Sequence, residues 1–404
     1  MHTNKINYRK SPFAESQGRF IQKNNDDVSK IAFLCGSLEP GVDGVGDYTR
    51  ILAAELIRQG NSIVIIALND KGALAMIEEK QMIESIKIPV LRIPFNYSPS
   101  ERFAAAKKYI DSFNPDWLSL QYVPYSFHNK GLPFGIRKHL QQLGEGRKWH
   151  IMFHELWIGF TKISSLKHKM IGLAQKKLAT SIARSLRPNA VTTTNRLYQL
   201  LLQKNKITAE ILPLFSNIPI VPAERSFTLS VLTNLDISEA NRSHYHITGF
   251  FGNLYPQAEL EHALTEQLYK AVSSKKKMVC LGFGNINRDG LNEFKHLEAT
   301  FAGRIKFLYL GKQPAKNVSN LLQMLDVAFS CTPSQHIGKS GVFAAIRLHG
   351  VAVIVPKGDV IPEYDTEIKK HNEELMKRPA DHWNVSYTVN HFLKCLTAAD
   401  VKNL

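Results

Sequence analysis

The sequence has few cysteines. Its 404 residues include only four, at positions 35, 280, 331 and 395, and none forms a C-x-x-C pair. Cys35, Cys280 and Cys331 lie in apolar runs typical of buried strands, so we expect reduced, buried thiols rather than a disulfide framework. Such cysteines favour a cytoplasmic protein.

Long hydrophobic runs are also missing. No segment approaches the roughly 18 consecutive apolar residues that a transmembrane helix requires, which argues against a membrane-spanning protein. Residues 1–30 are polar and lack an apolar centre, which argues against a signal peptide. We expect residues 1–29 to form a flexible leader.

Several motifs of cofactor chemistry are absent as well. The glycine-rich stretch over residues 36–46 lacks the G-x-G-x-x-G spacing and has no Walker lysine, so neither an ordinary dinucleotide site nor an ATP site is predicted. His244 and His246 have no partners at metal-ligand spacing, and no D-x-D motif follows a predicted strand. We therefore expect no metal and no other cofactor.

Negative charge is scarce relative to positive charge. The chain has 51 Lys and Arg against 35 Asp and Glu, a formal net charge of +16, which favours anionic partners such as phosphates or an acidic membrane. The densest basic run, residues 162–187, carries apolar residues at near-helical spacing. It is either a helix that lies on anionic lipid or an ordinary surface helix with solvated lysines. No basic patch is interleaved with aromatic residues, so nucleic acid is not expected as a partner.

Buried-strand runs alternate with helical patterns along most of the chain, which predicts two doubly wound α/β domains with parallel sheets. The predicted strands are 31–35, 62–68, 90–94, 117–123, 150–156, 190–194, 209–215, 246–253, 278–283, 305–310, 326–331 and 352–356. The alternation is interrupted between residues 213 and 242, which predicts an interdomain link. The predicted boundaries are a leader at 1–29, a first domain at 30–222, a linker at 223–245, a second domain at 246–379 and a C-terminal helix at 380–404 that packs back toward the first domain.

The most informative stretch is G-V-D-G-V-G-D-Y at residues 41–48, which follows an apolar strand run and precedes a helical pattern. Strand, glycine loop, helix and strand form one βαβ unit. Its glycines let the backbone approach a bound group, and the helix amino terminus offers N–H groups to an anion. The alternative is a tight turn that needs glycine for its own geometry.

Four segments in this order resemble GT-B glycosyltransferases, most of all the retaining, family-4-like branch that includes mannosyl- and glucosyltransferases of bacterial surface glycans. They are the loop at 41–48, F-H-E-L-W at 153–157, F-F-G-N-L at 250–254, and a strand, glycine loop, helix and strand over 324–356. The resemblance covers about residues 30–360. It implies two Rossmann-like domains facing a central cleft, with the acceptor bound by the first domain and the donor by the second.

The chain departs from this family at the donor site. In the family, an arginine and a lysine after Gly252 clamp the donor diphosphate, and two glutamates eight positions apart flank the last glycine loop. The first pair of positions holds Asn253 and Ala258 here, and the second pair holds Ile337 and Ala345. The roles of those charged residues therefore do not carry over directly.

The sequence G-K-S-G at residues 338–341 stands in their place, at the predicted start of a helix over 342–349. Helix N–H groups and the Lys339 charge favour an anion there, and Ser340 can cap the helix, so the loop is a predicted phosphate cradle. Alternatively, Ser340 only caps the helix and Lys339 points to water. The predicted donor contacts are Gly44, Gly46, Gly252, Asn253, Gly338, Lys339, Ser340 and Gly341.

The resemblance also implies roles in the first domain. A histidine at the end of this strand reaches the sugar in related enzymes, so His154 is a predicted catalytic residue that stabilises positive charge on the sugar. Asp47 is the second, and would orient or deprotonate an acceptor hydroxyl. Gln121, Tyr122 and Glu155 are predicted acceptor contacts, although Glu155 could instead set the tautomer of the histidine. The alternatives are a buried turn histidine, an ordinary helix-start aspartate and a core tyrosine.

The function implied is transfer of a hexose from a nucleotide-diphosphate sugar to an acceptor hydroxyl, with retention and without a metal, in surface glycan or glycolipid assembly. The predicted partners are the nucleotide sugar, a glycan or lipid-linked acceptor, and an anionic membrane that the helix at 162–187 contacts from the cytoplasmic side. The alternative is a GT-B-shaped module without catalysis that binds a nucleotide, an anionic glycan or nucleic acid.

Overall fold

The computed structural model describes residues 29–161, 164–254, 258–356 and 361–401. Both predicted α/β domains are present, because the strands form two separate sheets. The strands are β1 (Lys30–Cys35), β2 (Ser62–Asp70), β3 (Ile77–Ile83), β4 (Ile86–Pro94), β5 (Trp117–Tyr122), β6 (Lys148–Phe153), β7 (Ala190–Thr193), β8 (Glu210–Ile211), β9 (Tyr245–Phe251), β10 (Lys277–Phe283), β11 (Ile305–Gly311), β12 (Val327–Phe329) and β13 (Ala352–Ile354).

Helices connect most of these strands. They are α1 (Gly44–Arg58), α2 (Pro99–Phe113), α3 (Pro124–Phe127), α4 (Ile136–Leu143), α5 (Leu166–Leu186), α6 (Arg196–Lys204), α7 (Arg225–Asn234), α8 (Ala258–Ser273), α9 (Arg288–Thr300), α10 (Ala315–Met324), α11 (Gly341–Leu348), α12 (Asp365–Lys377) and α13 (Val385–Val401). Among the described residues, no helix has the length and hydropathy that a membrane crossing requires.

The first sheet has the strand order β3-β4-β2-β1-β5-β6-β7-β8, and the second has β11-β10-β9-β12-β13. All neighbours pair in parallel except β3, which is antiparallel to β4. Parallel strands with helices on both faces are buried on both sides, so their sequences read as continuous apolar runs. In β1, for example, residues 31–35 are all fully buried.

Strand β3 is the strand that hydrophobic periodicity did not predict. Its sequence, I-E-E-K-Q-M-I, is mostly polar, and most of its residues are exposed or half-buried. Charged side chains are typical of sheet edges, where they prevent pairing with another molecule. An edge strand therefore carries little of the hydrophobic signal from which strands are predicted.

Residues 223–245, predicted as a linker, contain helix α7 and a 3-10 turn. Val231 and Leu232 of this helix are buried in the core of the second domain, together with Leu235 and Ile237. The helix has little amphipathic pattern of its own, and packing against a neighbouring element supplies the stability that local propensity does not. These residues therefore pack with the second domain.

The last helix, α13, returns to the first domain. Its Phe392 packs with Phe33 of β1 at a ring distance of 5.9 Å and with the His150 ring of β6 at 5.0 Å. Thr388 donates a hydrogen bond to the carbonyl of Pro213 at 2.9 Å. The C-terminal helix thus completes one face of the first core.

Candidate functional site

The two domains meet at the carboxyl ends of their strands. His154 follows β6 and Asn195 follows β7 in the first domain, while the 3-10 turn over residues 334–339 follows β12 in the second. Gly338 sits so close to the first domain that a Cβ atom there would lie 2.7 Å from the carbonyl oxygen of Thr194. This edge of an α/β sheet is where ligands bind in such folds.

Lys339 reaches across this interface. Its Nζ lies 3.2 Å from the hydroxyl of Tyr198 and 3.4 Å from a carboxylate oxygen of Glu155, and it stands over the Tyr198 ring. Burial alone would lower the pKa of Lys339, but Tyr198 and Glu155 outweigh burial and hold the pKa above its ordinary value. The cleft therefore contains a positive charge at neutral pH, and the ammonium of Lys339 is directed at Tyr198 and Glu155.

Ser340 caps helix α11. Its hydroxyl accepts a hydrogen bond from the Phe343 amide at 3.2 Å and pairs with the Thr332 hydroxyl at 2.8 Å. Within the described residues, no group accepts a hydrogen bond from the amides of Gly341 and Val342. Two unpaired N–H groups thus remain at a helix amino terminus, which is a favourable position for an anion.

Gly252 lies beside that helix terminus. It has a φ of +85°, and a Cβ atom there would come within 2.9 Å of the side chain of Val342. The structure therefore brings Gly252 next to the loop at 338–341, as a donor site would require. Asn253 faces elsewhere, because its Oδ1 accepts a hydrogen bond from the Asn287 amide at 2.9 Å, where α9 begins.

The first glycine loop is explained by packing. A Cβ atom on Gly46 would lie 2.5 Å from the Ser37 carbonyl oxygen, so only glycine fits there, whereas Gly44 has open space around it. Asp43 caps α1, because its carboxylate accepts a hydrogen bond from the Gly46 amide at 2.7 Å. A carboxylate already occupies this helix terminus, so the terminus is poorly suited to a phosphate. Asp47 is also engaged, through an ion pair with Arg50.

A buried ion pair that the sequence analysis did not find anchors the same loop. Asp70, fully buried at the end of β2, accepts hydrogen bonds from Arg92 Nε at 2.8 Å and from the Leu38 amide at 3.1 Å. Arg92 also pairs with Glu39. An arginine inside the apolar run of β4 was the available signal, because a charge on a buried strand requires a partner.

His154 is buried and neutral. Its Nε2 lies 2.8 Å from Oε1 of Gln121, and its ring meets the edge of Tyr48 at 4.9 Å. Burial and the nearby Lys339 charge lower the pKa of His154 to about 3. At neutral pH this side chain can exchange hydrogen bonds with a sugar hydroxyl but contributes no positive charge.

The predicted acceptor contacts fall into different environments. Glu155 is half-buried and lies at the interface, beside Lys339. Gln121 is only 1% exposed and contacts His154, so it acts beneath the surface. Tyr122 is fully buried and packs with Phe127 and Phe153. It lies on the face of the sheet opposite Gln121, because alternate residues of β5 point to opposite faces. This corrects the prediction for Tyr122, whose side chain belongs to the core.

One group of side chains in the described residues has a composition that suits a metal ion. Glu210, His391 and Cys395 place their ligand atoms within 4.8 Å of one another, where α13 crosses β8. Burial and the neighbouring Glu210 carboxylate raise the pKa of Cys395 to about 12, which favours the protonated thiol rather than the thiolate that binds metals.

A cavity of about 370 Å³ lies in the second domain, lined by His246, Lys270, Val327 and Ala352 among others. His246, Val327 and Ala352 stand at the starts of β9, β12 and β13, so this cavity opens at the amino ends of the strands. Ligand sites of open parallel sheets lie at the carboxyl ends. The cavity is therefore separate from the site around Lys339.

No protein-family model matches the chain, and no curated protein sequence resembles it significantly. Solved structures do resemble it over nearly its whole length. HepE from Anabaena, in complex with UDP and glucose, aligns with a TM-score of 0.52 at 14% identity, covering 93% of this chain and 100% of that one. The catalytic domain of starch synthase IV from Arabidopsis thaliana, bound to ADP and acarbose, aligns at 0.50 and 13% identity, covering 92% and 99%.

A glycosyltransferase from Rickettsia africae aligns equally well, with a TM-score of 0.50 at 13% identity, covering 93% of this chain and 97% of that one. Identities this low establish the architecture rather than the reaction. They agree with the two sheets, the cleft and the strand-end loops described above. The chain therefore has a GT-B glycosyltransferase-like fold.

Proposed function

We propose that the protein transfers a hexose from a nucleotide-diphosphate sugar to an acceptor hydroxyl, in the assembly of a surface glycan or glycolipid. The observation that carries the proposal is the position of Lys339. This half-buried ammonium, which Tyr198 and Glu155 keep charged, lies at the interdomain cleft, one residue before the cap of α11 with its two unpaired amides. A cation beside a helix amino terminus matches the negative charge that develops on a leaving nucleoside diphosphate.

The first domain supplies the complementary chemistry. Breaking the bond between sugar and phosphate builds positive charge on the sugar, and a neutral histidine can support it by hydrogen bonding without repelling it. The low pKa of His154, about 3, keeps that histidine neutral across physiological pH. We propose retention of anomeric configuration because the retaining GT-B enzymes are the ones that this chain resembles.

A module without catalysis is the second candidate, and the second domain favours it at one point. Ile337 and Ala345 stand where the family has two glutamates, and they are 2% and 0% exposed. Both belong to the hydrophobic core of the second domain, so no carboxylate reaches the donor from these positions. Under this candidate the protein would bind a nucleotide or an anionic glycan without turnover.

A thermal-shift panel of UDP, GDP, ADP and CMP with their sugar conjugates tests the proposal. A ligand that binds only the folded protein raises the midpoint by mass action, so we expect a rise with one nucleotide sugar and its nucleoside diphosphate. Release of free nucleotide from that sugar, measured in the same buffer, separates the two candidates. A shift without turnover in the presence of glycan and lipid-linked acceptors supports the binding module, and no shift with any ligand contradicts both nucleotide proposals.

We further propose that α5 brings the protein to an anionic membrane carrying a lipid-linked acceptor. Residues 162–163 of the predicted basic helix lie outside the described residues. The helix itself contains five Lys and Arg but no Asp or Glu. Leu166, Met170 and Leu173 fall on one face and are 75%, 67% and 54% exposed. Exposed apolar residues on a helix whose charged side chains are all basic match a negatively charged bilayer surface.

Sedimentation with vesicles measures this association. We expect the protein to pellet with phosphatidylglycerol vesicles but not with phosphatidylcholine vesicles, and the bound fraction of Met170→Glu to fall severalfold. Tyr269→Glu is the matched control, because Tyr269 is 70% exposed on α8 of the other domain. Equal binding of the two variants would show that charge alone, and not this helix face, attracts the protein to lipid.

A further inference from the structure

A series of buried polar side chains crosses the middle of the first sheet. His150 on β6 lies between the Thr192 hydroxyl of β7, 2.8 Å from its Nε2, and the Ser119 hydroxyl of β5, 2.8 Å from its Nδ1. Gln121 Nε2 lies 2.8 Å from that serine oxygen, and Gln121 Oε1 lies 2.8 Å from Nε2 of His154. The first three residues of the series are completely buried. We call these five side chains the buried polar network.

The bond at the Thr192 end of the network determines the direction of the others. The Thr192 hydroxyl donates to Sδ of Met152 at 2.9 Å. A hydroxyl has a single proton, so toward His150 the threonine oxygen can only accept, and Nε2 of His150 must carry a proton. Burial lowers the pKa of His150 to about 3, so this histidine is neutral and its Nδ1 accepts from Ser119.

The remaining hydrogen bonds of the network connect Ser119 to His154. The Ser119 proton is used on His150, so the serine oxygen accepts from the amide nitrogen of Gln121. The amide oxygen of Gln121 is then left to accept a hydrogen bond from the Nε2–H of His154. Within the described part of the chain, no group forms a hydrogen bond with Nδ1 of His154.

We propose that the buried polar network fixes His154 as the neutral tautomer with its proton on Nε2, leaving Nδ1 as a hydrogen-bond acceptor for a sugar hydroxyl. Ser119, His150 and Thr192 are then positioning residues that act on His154 through Gln121. The tautomer follows from the network alone, whereas the use of Nδ1 rests on the proposed function. An acceptor nitrogen selects for hydroxyl groups and against phosphate oxygens, which have no proton to donate at neutral pH.

Long-range proton–nitrogen correlation spectra of protein with isotope-labelled histidine side chains measure the tautomer directly, without substrate. His154→Gln assigns the His154 signals. We expect His154 and His150 in the wild type to be neutral with the proton on Nε2. In Ser119→Ala and in Thr192→Val, the ratio of the two His154 tautomers should shift at least about fivefold toward Nδ1–H, as expected for the loss of one neutral hydrogen bond.

Thr193→Val is the matched control. Thr193 is as buried as its neighbour on the same strand, but its hydroxyl bonds to the carbonyl of Phe153 and lies outside the network. A proton on Nδ1 of His154 in the wild type would overturn the proposal, as would equal spectra for Thr192→Val and Thr193→Val. If His154 has the predicted tautomer but the protein turns over no nucleotide sugar, the proposed function is contradicted. The proposal that the network fixes the tautomer would still hold.

Discussion

Replacing Lys339 by alanine is expected to weaken binding of the nucleoside diphosphate by about 10- to 100-fold, the range for losing a hydrogen bond to a charged group. Turnover of the nucleotide sugar should fall at least as far, because the leaving diphosphate carries more charge in the transition state. The midpoint of the ligand-free protein should change little, since the Lys339–Glu155 pair is partly open to solvent. Calorimetric titration and nucleotide release measure the two effects.

Glu155→Gln distinguishes a phosphate ligand from a bridge between domains. The carboxylate of Glu155 lies 3.4 Å from Nζ of Lys339, and it competes with any phosphate for that charge. If Lys339 binds the donor, removing this competitor should leave the affinity unchanged or increase it. If Lys339 only holds the domains together, Glu155→Gln and Lys339→Ala should weaken binding alike. That second outcome would contradict the phosphate role.

Replacing Asp70 by alanine is expected to destabilise the first domain by about 3–5 kcal/mol, because it removes the fully buried carboxylate from the buried Arg92 and leaves it only the half-exposed Glu39 and Glu79. The same change releases the Leu38 amide and the Ser37 hydroxyl, where the first glycine loop begins. Urea unfolding followed by tryptophan fluorescence measures the loss. Three of the four tryptophans, at positions 117, 149 and 157, lie in this domain, so the signal reports on it.

Asp111→Ala is the control for this experiment. Asp111 pairs with Lys107 and Arg147, but its side chain is 44% exposed, so its removal should cost less than about 1 kcal/mol. Similar losses for the two variants would show that the Asp70 pair is no more important than a surface ion pair.

Acid pH provides a second check on Asp70. Burial alone would raise the pKa of its carboxyl, but hydrogen bonds from Arg92, Gly72 and Leu38 outweigh burial and hold the pKa below its ordinary value. A lowered folded-state pKa gives stability that is complete above the unfolded pKa of about 3.9 and is lost as pH falls through the folded value. The difference between wild type and Asp70→Ala should therefore be full at pH 7 and shrink below about pH 4.

Local patterns predicted the elements and their order well. Continuous apolar runs gave the central strands, and the Ser340 cap gave the start of α11, because each signal lies within a few neighbouring residues. Of the strand predicted over 209–215, only the two residues of β8 form a strand in the structure, and β3 was not predicted. Both lie at sheet edges, where few neighbours reinforce the hydrophobic pattern.

The sequence by itself determined two α/β domains, the loops at the carboxyl ends of their strands, and a lysine beside a helix amino terminus. Only the tertiary structure decided what these groups face. Lys339 meets Tyr198 and Glu155 from 141 and 184 residues away. Likewise, His154 meets Gln121 across a strand pair. Periodicity and capping act between near neighbours in the chain, whereas charge pairing and tautomers depend on groups that only packing brings together.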